Sequence, residues 1–377
     1  GEYYDATVPE PSIAPEAHEW VGAQLFTDYT CEIVPLVGPA IRPRHELLLR
    51  PISAVCHNGT IHDGSEYGEI NVISKNVGDW CEQTRLGFGE SLILDMGQNM
   101  VGRPILMFKA PRGTKITVYF AEMLNDSGDP ARGNDGPKGS MYIKNYRSAT
   151  ARLVYVASGN GVETYFPTHS FFGFRYLEIR ADREVDVLSV AGEVICSDFT
   201  ETAEFSCDNP EVNRLYSNIV WGMRGNYFSA PTDCPQRDER LGWTGDAQGF
   251  CLSAMYNADC RAFFKKYLQD VRDAQAENGM IDSVAPTVWR DFDKVKGSPA
   301  WGDVITVMPY EYYLVYGDEE IIRENITAAK RWVDYCISDS TELIRNPCGY
   351  GDWLSFDVGT DKSLIGTAFC GYSAWLV

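Results

Sequence analysis

The chain has 377 residues and is 44% hydrophobic, which is enough to bury the cores of two or three domains. Its formal net charge of −20 argues against nucleic acids and anionic membranes as partners, because like charges repel. No run of about 18 apolar residues occurs, so no membrane-spanning helix is expected. A neutral ligand such as a sugar is compatible with this composition.

Cysteine usage bears on the compartment. The eleven cysteines form no CxxC pair and no metal-type spacing, so we interpret most of them as reduced, buried side chains. This slightly favours a reducing compartment such as the cytoplasm. The opening residues GEYYDATVPE contain no secretory signal. A periplasmic or secreted location stays open if a signal has been removed, and nothing in the sequence indicates the oligomeric state.

The first half of the chain has the pattern of antiparallel β-structure. Short segments rich in β-branched and aromatic residues occur at 91–95, 115–120, 151–156 and 174–179. A turn is predicted at 110–114, and 125–139 is predicted to be an exposed loop. Asp126, Asp129 and Asp135 of this loop could bind calcium, but the ligand spacing of an EF-hand is absent. We therefore favour a solvated acidic loop and expect no metal.

After about residue 200 the pattern becomes helical. Asp208 or Asn209 can cap a helix that starts near Pro210. Apolar residues then follow at three- and four-residue steps from Val212 to Met223, which is typical of one helical face. Further helices are predicted at 246–257, 259–276, 300–316 and 317–338. Short links between successive helices favour α-hairpins arranged around a ring.

One segment, SAPTDCPQRDERLGWTGDAQ at 229–248, concentrates chemically active side chains. Its prolines and glycines prevent a continuous helix, so it is predicted to be a shaped loop between two helices. Crowded carboxylates raise the pKa of one member, which can then stay protonated beside ionised neighbours. Glycoside cleavage needs that division of roles. The residues are Asp233, Arg237, Asp238, Glu239, Arg240, Trp243 and Asp246.

Other interpretations of this segment remain to be weighed. Acidic and basic residues in a loop often form salt bridges that hold helices together, and Asp238 and Arg240 are candidates for that role. All five histidines fall in the first half of the chain, so a histidine-dependent triad among the helices has no base. Cys234 is interpreted as a packing residue. Phosphate-binding glycine motifs after a strand are absent.

The motif DCPQRDERLGWTGDAQ at 233–248 resembles the signature of the bacterial α-L-rhamnosidases, glycoside hydrolase family 78. The family's β-domains are matched in order by GEYYDA at 1–6, DMGQN at 95–99, YFAEML at 119–124 and GFRYLEIR at 173–180. AWGDV at 300–304 and GDWL at 351–354 resemble its helical domain. The resemblance implies N-terminal antiparallel β-sandwich domains followed by the first part of an (α/α)6 barrel. The expected domains are 1–85, β-rich and incomplete, 86–197, a β-sandwich, and 198–377, a barrel truncated at its C-terminus.

The resemblance also implies the site and the reaction. Glu239 matches the general acid of an inverting hydrolase that releases terminal α-L-rhamnose from a rhamnose-containing glycoside. No metal or organic cofactor is implied. The matching positions that bind the sugar are Asp233, Arg237, Trp243, Asp246, Trp301 and Trp353.

The chain departs from the family in one respect. The family's general base is a glutamate more than two hundred residues beyond the acid, whereas only 138 positions follow Glu239 here. We therefore expect the chain to be a fragment that lacks the base. Two other functions stay open: a carbohydrate-binding protein without hydrolytic activity, and an (α/α)6 hydrolase that acts on another sugar.

Overall fold

The order of elements divides the chain into a sheet-rich region and a helical region. The computed structural model describes residues 1–8, 22–27, 32–78, 80, 83–288 and 297–377. Strands occupy the chain up to Ser197, and helices dominate from Pro210 onward. The predicted order, β-structure first and helices second, is confirmed.

Within the described residues, eleven strands form one sheet whose main path runs β1-β10-β7-β12-β6-β13-β2. Three of the four predicted strand segments fall inside observed strands, the segment 151–156 begins one residue before its strand, and the predicted turn at 110–114 joins β6 to β7. The strands before β14 are β1 (Glu2–Asp5), β2 (Ile41–Leu49), β3 (Ser53–Ile61), β4 (Glu69–Val77), β5 (Thr84–Leu86), β6 (Ser91–Lys109), β7 (Lys115–Ala121), β8 (Met123–Leu124), β9 (Met141–Tyr142), β10 (Arg152–Val156), β11 (Val162–Tyr165), β12 (Phe172–Ala181) and β13 (Val185–Ser197).

The long strand β6 organises this region, because β3, β11, β12 and β13 all pair with it. Its alternate residues Leu92, Leu94 and Met96 enter one hydrophobic core. Alternation of this kind is expected where one face of a strand is buried. In the same core the rings of Phe120 and Phe172 stack with centroids 4.1 Å apart.

The helical region contains six α-helices in its described part. They are α1 (Pro210–Asn226), α2 (Thr244–Asn257), α3 (Arg261–Asp273), α4 (Val304–Tyr316), α5 (Glu320–Ser338) and α6 (Lys362–Leu376). Two-residue strands lie between them: β14 (Tyr227–Phe228), β15 (Ala230–Pro231), β16 (Ser340–Thr341) and β17 (Ile344–Arg345). None of these helices is long and apolar enough to cross a bilayer.

The predicted helices are confirmed, with shorter limits for α3, α4 and α5 and an earlier start for α2. Asn209 caps α1 as expected, since its side chain accepts from the backbone amides of Glu211 and Val212. The apolar stripe of α1 is only partly covered: Met223 is buried, whereas Leu215 is exposed. Helix α6 was not predicted.

A buried carboxylate joins three helices of this region. Asp303, at the start of α4, accepts hydrogen bonds from Trp332 Nε1 on α5 at 2.9 Å and from Ser373 Oγ on α6 at 2.6 Å. Burial raises the pKa of Asp303. Around it lies a second hydrophobic core that contains Phe264, Tyr267 and Tyr312.

The two regions meet at the loop between α1 and α2. Phe171, just before β12, stacks on Phe228 with ring centroids 4.5 Å apart. Gly173 of β12 lies so close that a Cβ there would be 3.0 Å from Cβ of Gln236. The segment rich in carboxylates is therefore held against the sheet-rich region.

The remaining expectations concern the cysteines and the acidic loop. The nine cysteines in the described part are all free, and six of them are buried. In the loop, Asp126 pairs with Arg132, and Asp135 accepts from the backbone amides of Ile143 and Lys144. These carboxylates therefore make hydrogen bonds within the loop itself and with the residues just after it.

Candidate active site

The segment between α1 and α2 is a shaped loop, as predicted. After β15 the chain turns back, and Asp233 and Leu241 face each other across the loop. The amide of Asp233 donates to the carbonyl of Leu241 at 2.9 Å, and the amide of Leu241 donates to Asp233 Oδ1 at 2.9 Å. These two bonds close the loop at its base, so the residues between them project from a fixed frame.

The loop forms one wall of a cavity of about 560 Å³. This volume lies in the usual range for small-molecule sites. All seven residues predicted for the site line it, although they come from positions 233 to 353. The full lining is Arg147, Asp233, Arg237, Asp238, Glu239, Leu241, Trp243, Asp246, Trp301, Tyr350, Trp353 and Leu354.

Glu239 has partners on both carboxylate oxygens. Its Oε1 accepts from Trp243 Nε1 at 2.9 Å. Its Oε2 lies 2.7 Å from Arg147 Nη1 and 3.0 Å from Arg237 Nη2. Although Glu239 is paired with two arginines, it still lines the cavity and is available to a ligand there.

Two further carboxylates lie in the same wall and differ in their electrostatics. Asp233 pairs with Arg237, whose Nη2 lies 3.2 Å from its Oδ2. Asp246, in the first turn of α2, is open to the cavity but recessed among protein atoms. Partial burial, followed by the neighbouring charge of Asp233, raises the pKa of Asp246. Carboxylate crowding, from which the sequence predicted a raised pKa, is therefore the smaller of the two causes at Asp246.

Aromatic rings build the opposite wall. Tyr350 joins the three tryptophans, with ring centroids 5.7 Å from Trp243, 4.7 Å from Trp301 and 5.6 Å from Trp353. Trp301 lies directly against α2, because a Cβ at Gly245 would be 2.7 Å from its ring. Aromatic faces offer the C–H groups of a sugar a flat apolar surface, while nearby carboxylates accept from its hydroxyls.

Asp238 and Arg240, predicted to form salt bridges that hold helices together, make other contacts, both with the sheet-rich region. Asp238 Oδ2 accepts from the backbone amide of Ser148 at 3.2 Å and from its hydroxyl. The guanidinium of Arg240 lies 4.8 Å from the ring centroid of Phe171. Cys234 is buried and its sulfur accepts from the amide of Arg240 at 3.5 Å, which fits a packing role.

Two residues of the cavity, Arg147 and Tyr350, lie outside the motifs that sequence reasoning used, and it missed them. Arg147 belongs to the sheet-rich region and stands 92 positions before Glu239, and no motif links the two. Tyr350 directly precedes the GDWL motif at 351–354, so its position beside that motif was a usable signal.

A metal ion has one conceivable place among the described residues. Ligand atoms of Asp233, Cys234 and Glu239 lie within 4.8 Å of one another. The guanidinium groups of Arg147 and Arg237 already pair with these carboxylates and supply the positive charge that a cation would bring. Burial also raises the pKa of the Cys234 thiol, which disfavours the thiolate that metals bind. We assign no metal to this group.

A second cavity of about 450 Å³ lies on the other side of the loop, between α1 and the sheet-rich region. It shares Asp233 and Arg237 with the first cavity, but it has one tryptophan, and five of its fifteen lining residues have amide side chains. The cavity at Glu239 combines several carboxylates with three tryptophans, so it is the candidate active site.

Two family models match consecutive parts of the chain. Residues 88–196 match the bacterial α-L-rhamnosidase concanavalin-like domain. Residues 200–377 match the bacterial α-L-rhamnosidase six-hairpin glycosidase domain. The boundary between the two matches falls where β13 ends and the helical region begins.

Characterised relatives cover most of the chain. An α-L-rhamnosidase of Formosa agariphila is 40% identical over 297 residues, which is 76% of this chain and 31% of the relative. An α-L-rhamnosidase of Streptomyces avermitilis is 40% identical over 283 residues, which is 75% of this chain and 26% of the relative. The chain thus spans about 30% of the length of these curated relatives.

Solved structures show the same likeness. The crystal structure of the S. avermitilis α-L-rhamnosidase complexed with L-rhamnose has a TM-score of 0.75 and 34% identity, and covers 91% of this chain and 29% of that one. The α-L-rhamnosidase from Dictyoglumus thermophilum has a TM-score of 0.73 and 29% identity, and covers 90% of this chain and 34% of that one.

Proposed function

The chain belongs to the bacterial α-L-rhamnosidases, glycoside hydrolase family 78, and from this premise we propose that the complete protein is an inverting glycosidase. It releases terminal α-L-rhamnose from a rhamnose-containing glycoside. One observation carries the proposal: three carboxylates, an arginine and three tryptophans implied by the family motifs surround a single cavity of sugar-binding size.

In this proposal Glu239 is the general acid. It lies in the cavity wall, and its hydrogen bond from Trp243 fixes the plane of the carboxyl group. A general acid must lie within hydrogen-bond reach of the leaving oxygen, and its contribution to the rate is about 10²- to 10⁴-fold. Once Glu239 has given up its proton, Arg147 and Arg237 stabilise the resulting carboxylate.

The remaining cavity residues bind the sugar. Asp233 and Asp246 accept hydrogen bonds from its hydroxyls, and Arg237 donates to them. Trp243, Trp301 and Trp353 cover its apolar faces. Because Asp246 has a raised pKa and its carboxylate is open to the cavity, it is the acid best placed to exchange hydrogen bonds with a ligand.

An inverting reaction also needs a base on the opposite face of the sugar. The two carboxyl groups of inverting enzymes stand about 6.5–9.5 Å apart, which leaves room for the attacking water. The family resemblance puts the base far beyond Glu239 in sequence. We therefore assign the activity to the complete protein, because this chain spans only about 30% of the length of the relatives it matches.

We also propose that α1 to α6 form the first part of an (α/α)6 barrel. The name of the six-hairpin family domain and the contacts of α4 with α2, α3, α5 and α6 support this. The proposed division at 197/198 coincides with the end of β13. The division at 85/86 stays a prediction. Strand pairing crosses it, because β3 pairs with β6 and β5 pairs with β13.

The test compares the complete gene product with its Glu239→Gln variant on an alkyl α-L-rhamnoside, whose leaving group requires protonation. We expect kcat to fall about 10²- to 10⁴-fold, because glutamine has no proton to donate. NMR of the released sugar should show the inverted anomer first. Glu204→Gln, which changes an exposed glutamate that does not line the cavity, is the control and should leave kcat unchanged.

Other outcomes would favour the alternative functions. Calorimetric binding of L-rhamnose without any turnover would indicate a carbohydrate-binding protein. Faster turnover of a different glycoside in a panel of alkyl glycosides would indicate another sugar. Full activity of Glu239→Gln on the alkyl rhamnoside would mean that the acid is a different residue.

A further inference from the structure

A short segment of the sheet-rich region contacts the acid-bearing loop, which is the stretch 232–243 between β15 and α2 that carries Glu239. The segment consists of Arg147 and Ser148, which directly follow the 3-10 helix Lys144–Tyr146. That helix is firmly attached to the sheet-rich region: Tyr146 is buried, and its hydroxyl donates to the carbonyl of Gly173 at 2.6 Å. Asn145 donates to Glu122 at 2.9 Å. The segment therefore has a fixed base.

Arg147 and Ser148 contact two consecutive residues of the loop, Glu239 and Asp238. Arg147 Nη1 lies 2.7 Å from Glu239 Oε2. The backbone amide of Ser148 donates to Asp238 Oδ2 at 3.2 Å, and its hydroxyl donates to the same atom. Because the two contacts are adjacent, they restrict both the position and the rotation of the loop at Glu239.

The backbone at this junction adopts an unfavourable conformation on both sides. Arg147 has φ of 56° and Arg240 has φ of 54°, a region that residues with a Cβ rarely adopt. Such a conformation costs on the order of 1–3 kcal/mol, and it persists when surrounding contacts require it. At residue 147 the contacts present are the ion pair with Glu239 and a hydrogen bond from the backbone amide to the carbonyl of Lys144.

The other partners of Glu239 come from its own loop. Trp243 holds Oε1, and Arg237 approaches Oε2 at 3.0 Å. Arg147 differs from them because it comes from a separate region, is about half exposed and lines the mouth of the cavity. Its guanidinium is close enough to stabilise the carboxylate that proton transfer leaves behind.

We infer that Arg147 is a positioning residue for the general acid, supplied by the sheet-rich region. This inference rests on the proposed role of Glu239. Arg147 holds the carboxyl group at the leaving-group side of the cavity and stabilises the anion that proton transfer leaves behind. Its contribution is therefore greatest for leaving groups that need full protonation, and small for leaving groups that depart as stable anions.

The test is the Arg147→Gly variant of the complete protein, assayed on an alkyl and on a 4-nitrophenyl α-L-rhamnoside. Glycine accepts φ of 56° without strain, so the variant should melt at the same temperature as the wild type or higher. On the alkyl substrate we expect kcat to fall about 10- to 100-fold, as for a misplaced catalytic group. On the nitrophenyl substrate the loss should be less than about threefold, because that leaving group needs little protonation.

Two further readouts separate positioning from a structural role. KM should change less than kcat. Arg147→Lys, which keeps the charge, should recover part of the lost rate. Arg132→Ala removes an exposed arginine that pairs with Asp126 away from the cavity, and it should behave as the wild type.

An equal loss on both substrates, or no loss on either, would overturn the inference. A lower melting temperature of Arg147→Gly together with full activity of Arg147→Ala would also overturn it. If Glu239→Gln reduces turnover of the alkyl substrate but Arg147→Gly does not, only the role of Arg147 fails. If Glu239→Gln has no effect, the proposed function itself fails.

Discussion

The folded chain shifts the pKa values of individual aspartates in opposite directions. Asp246 combines partial burial with a nearby negative charge, and both raise its pKa. Asp318, on the surface beyond α4, shows the opposite behaviour. A hydrogen bond from Lys265 lowers its pKa, so the folded state favours its charged form. The two aspartates therefore contribute to folding stability with opposite signs.

The Asp246→Asn variant should melt at a higher temperature than the wild type at pH 7. A raised folded pKa means that ionisation opposes folding, so the destabilisation is present above the folded pKa. It disappears below the unfolded value of about 3.9, where the carboxyl is neutral in both states. Thermal melts from pH 3 to pH 8 should show the difference shrinking towards acid pH.

Asp318→Asn serves as the matched control and should lower the melting temperature at pH 7. Rhamnose binding, measured by calorimetry, should weaken in Asp246→Asn and stay unchanged in Asp318→Asn. A lower melting temperature of Asp246→Asn at neutral pH would contradict this account of the cavity.

The candidate site was largely predictable at the scale of residues, because five of its seven positions lie in one contiguous segment. Trp301 and Trp353 were reached through two other motifs of the family. Arg147 was not predictable, since its link to Glu239 depends on how the sheet-rich region meets the loop. The pKa shifts of the acidic side chains were not predictable either, because they depend on burial and on distances across the cavity.

Helix α2 connects the acid-bearing loop to the aromatic wall. Its first residues pack against Trp301 so closely that residue 245 has no room for a side chain. Gly249, one turn later in the same helix, has no neighbouring atom within 4 Å of the position that a Cβ would take. The helix thus contains a glycine required by packing and a glycine that is not.

Gly245→Ala should destabilise the protein by about 1–3 kcal/mol, the usual cost of overpacking, and should raise KM because Trp301 must move. Gly249→Ala should be neutral or stabilising by roughly 0.5–1 kcal/mol, since alanine favours the helix. Chemical denaturation and steady-state kinetics on both variants give the comparison. Equal effects of the two substitutions would mean that contact with Trp301 is not the cause.

Helices and strands were predictable where the periodicity of apolar residues was strong. Where that periodicity was weak, they were missed or their limits were wrong. The stripe from Val212 to Met223 identified α1, and the β-rich segments identified four strands. Helix α4 begins at Val304 rather than 300, because Ala300 has φ of 67° and the chain turns there. Helix α6 was missed because its own small and apolar residues, including Gly366 and Gly371, are distributed around the whole helix. Its sequence therefore shows no polar face that would indicate an amphipathic helix.

At the scale of the whole molecule, the site is built from both regions. Phe171 of the sheet-rich region contacts Phe228 and Arg240 on the helical side. Arg147 and Ser148 contact the loop a short distance away. The geometry of the acid therefore depends on how the two regions are joined.

Phe171→Ala should weaken this junction by about 1–2 kcal/mol, the combined size of one aromatic pair and one cation–π contact. We expect kcat on an alkyl rhamnoside to fall, and the thermal transition to broaden or split as the two regions unfold less cooperatively. Calorimetry and kinetics on the complete protein provide both readouts.

The matched control is Phe166→Ala. Phe166 lies 4.5 Å from the guanidinium of Arg103, a similar contact made entirely within the sheet-rich region. This substitution should affect stability without lowering kcat. If both substitutions reduce kcat equally, the junction has no special role in positioning the loop.

The contacts of Arg147 and Ser148 with the loop have a consequence for the evolution of these proteins. Recombination could exchange the sheet-rich region of one homologue for that of another. Such an exchange would separate Arg147 from Glu239, with which it pairs. Such chimaeras would retain both folded parts and still lose turnover of demanding substrates. Successful module exchange should therefore carry residues 144–148 and 236–240 together, and these two segments should vary in concert across lineages.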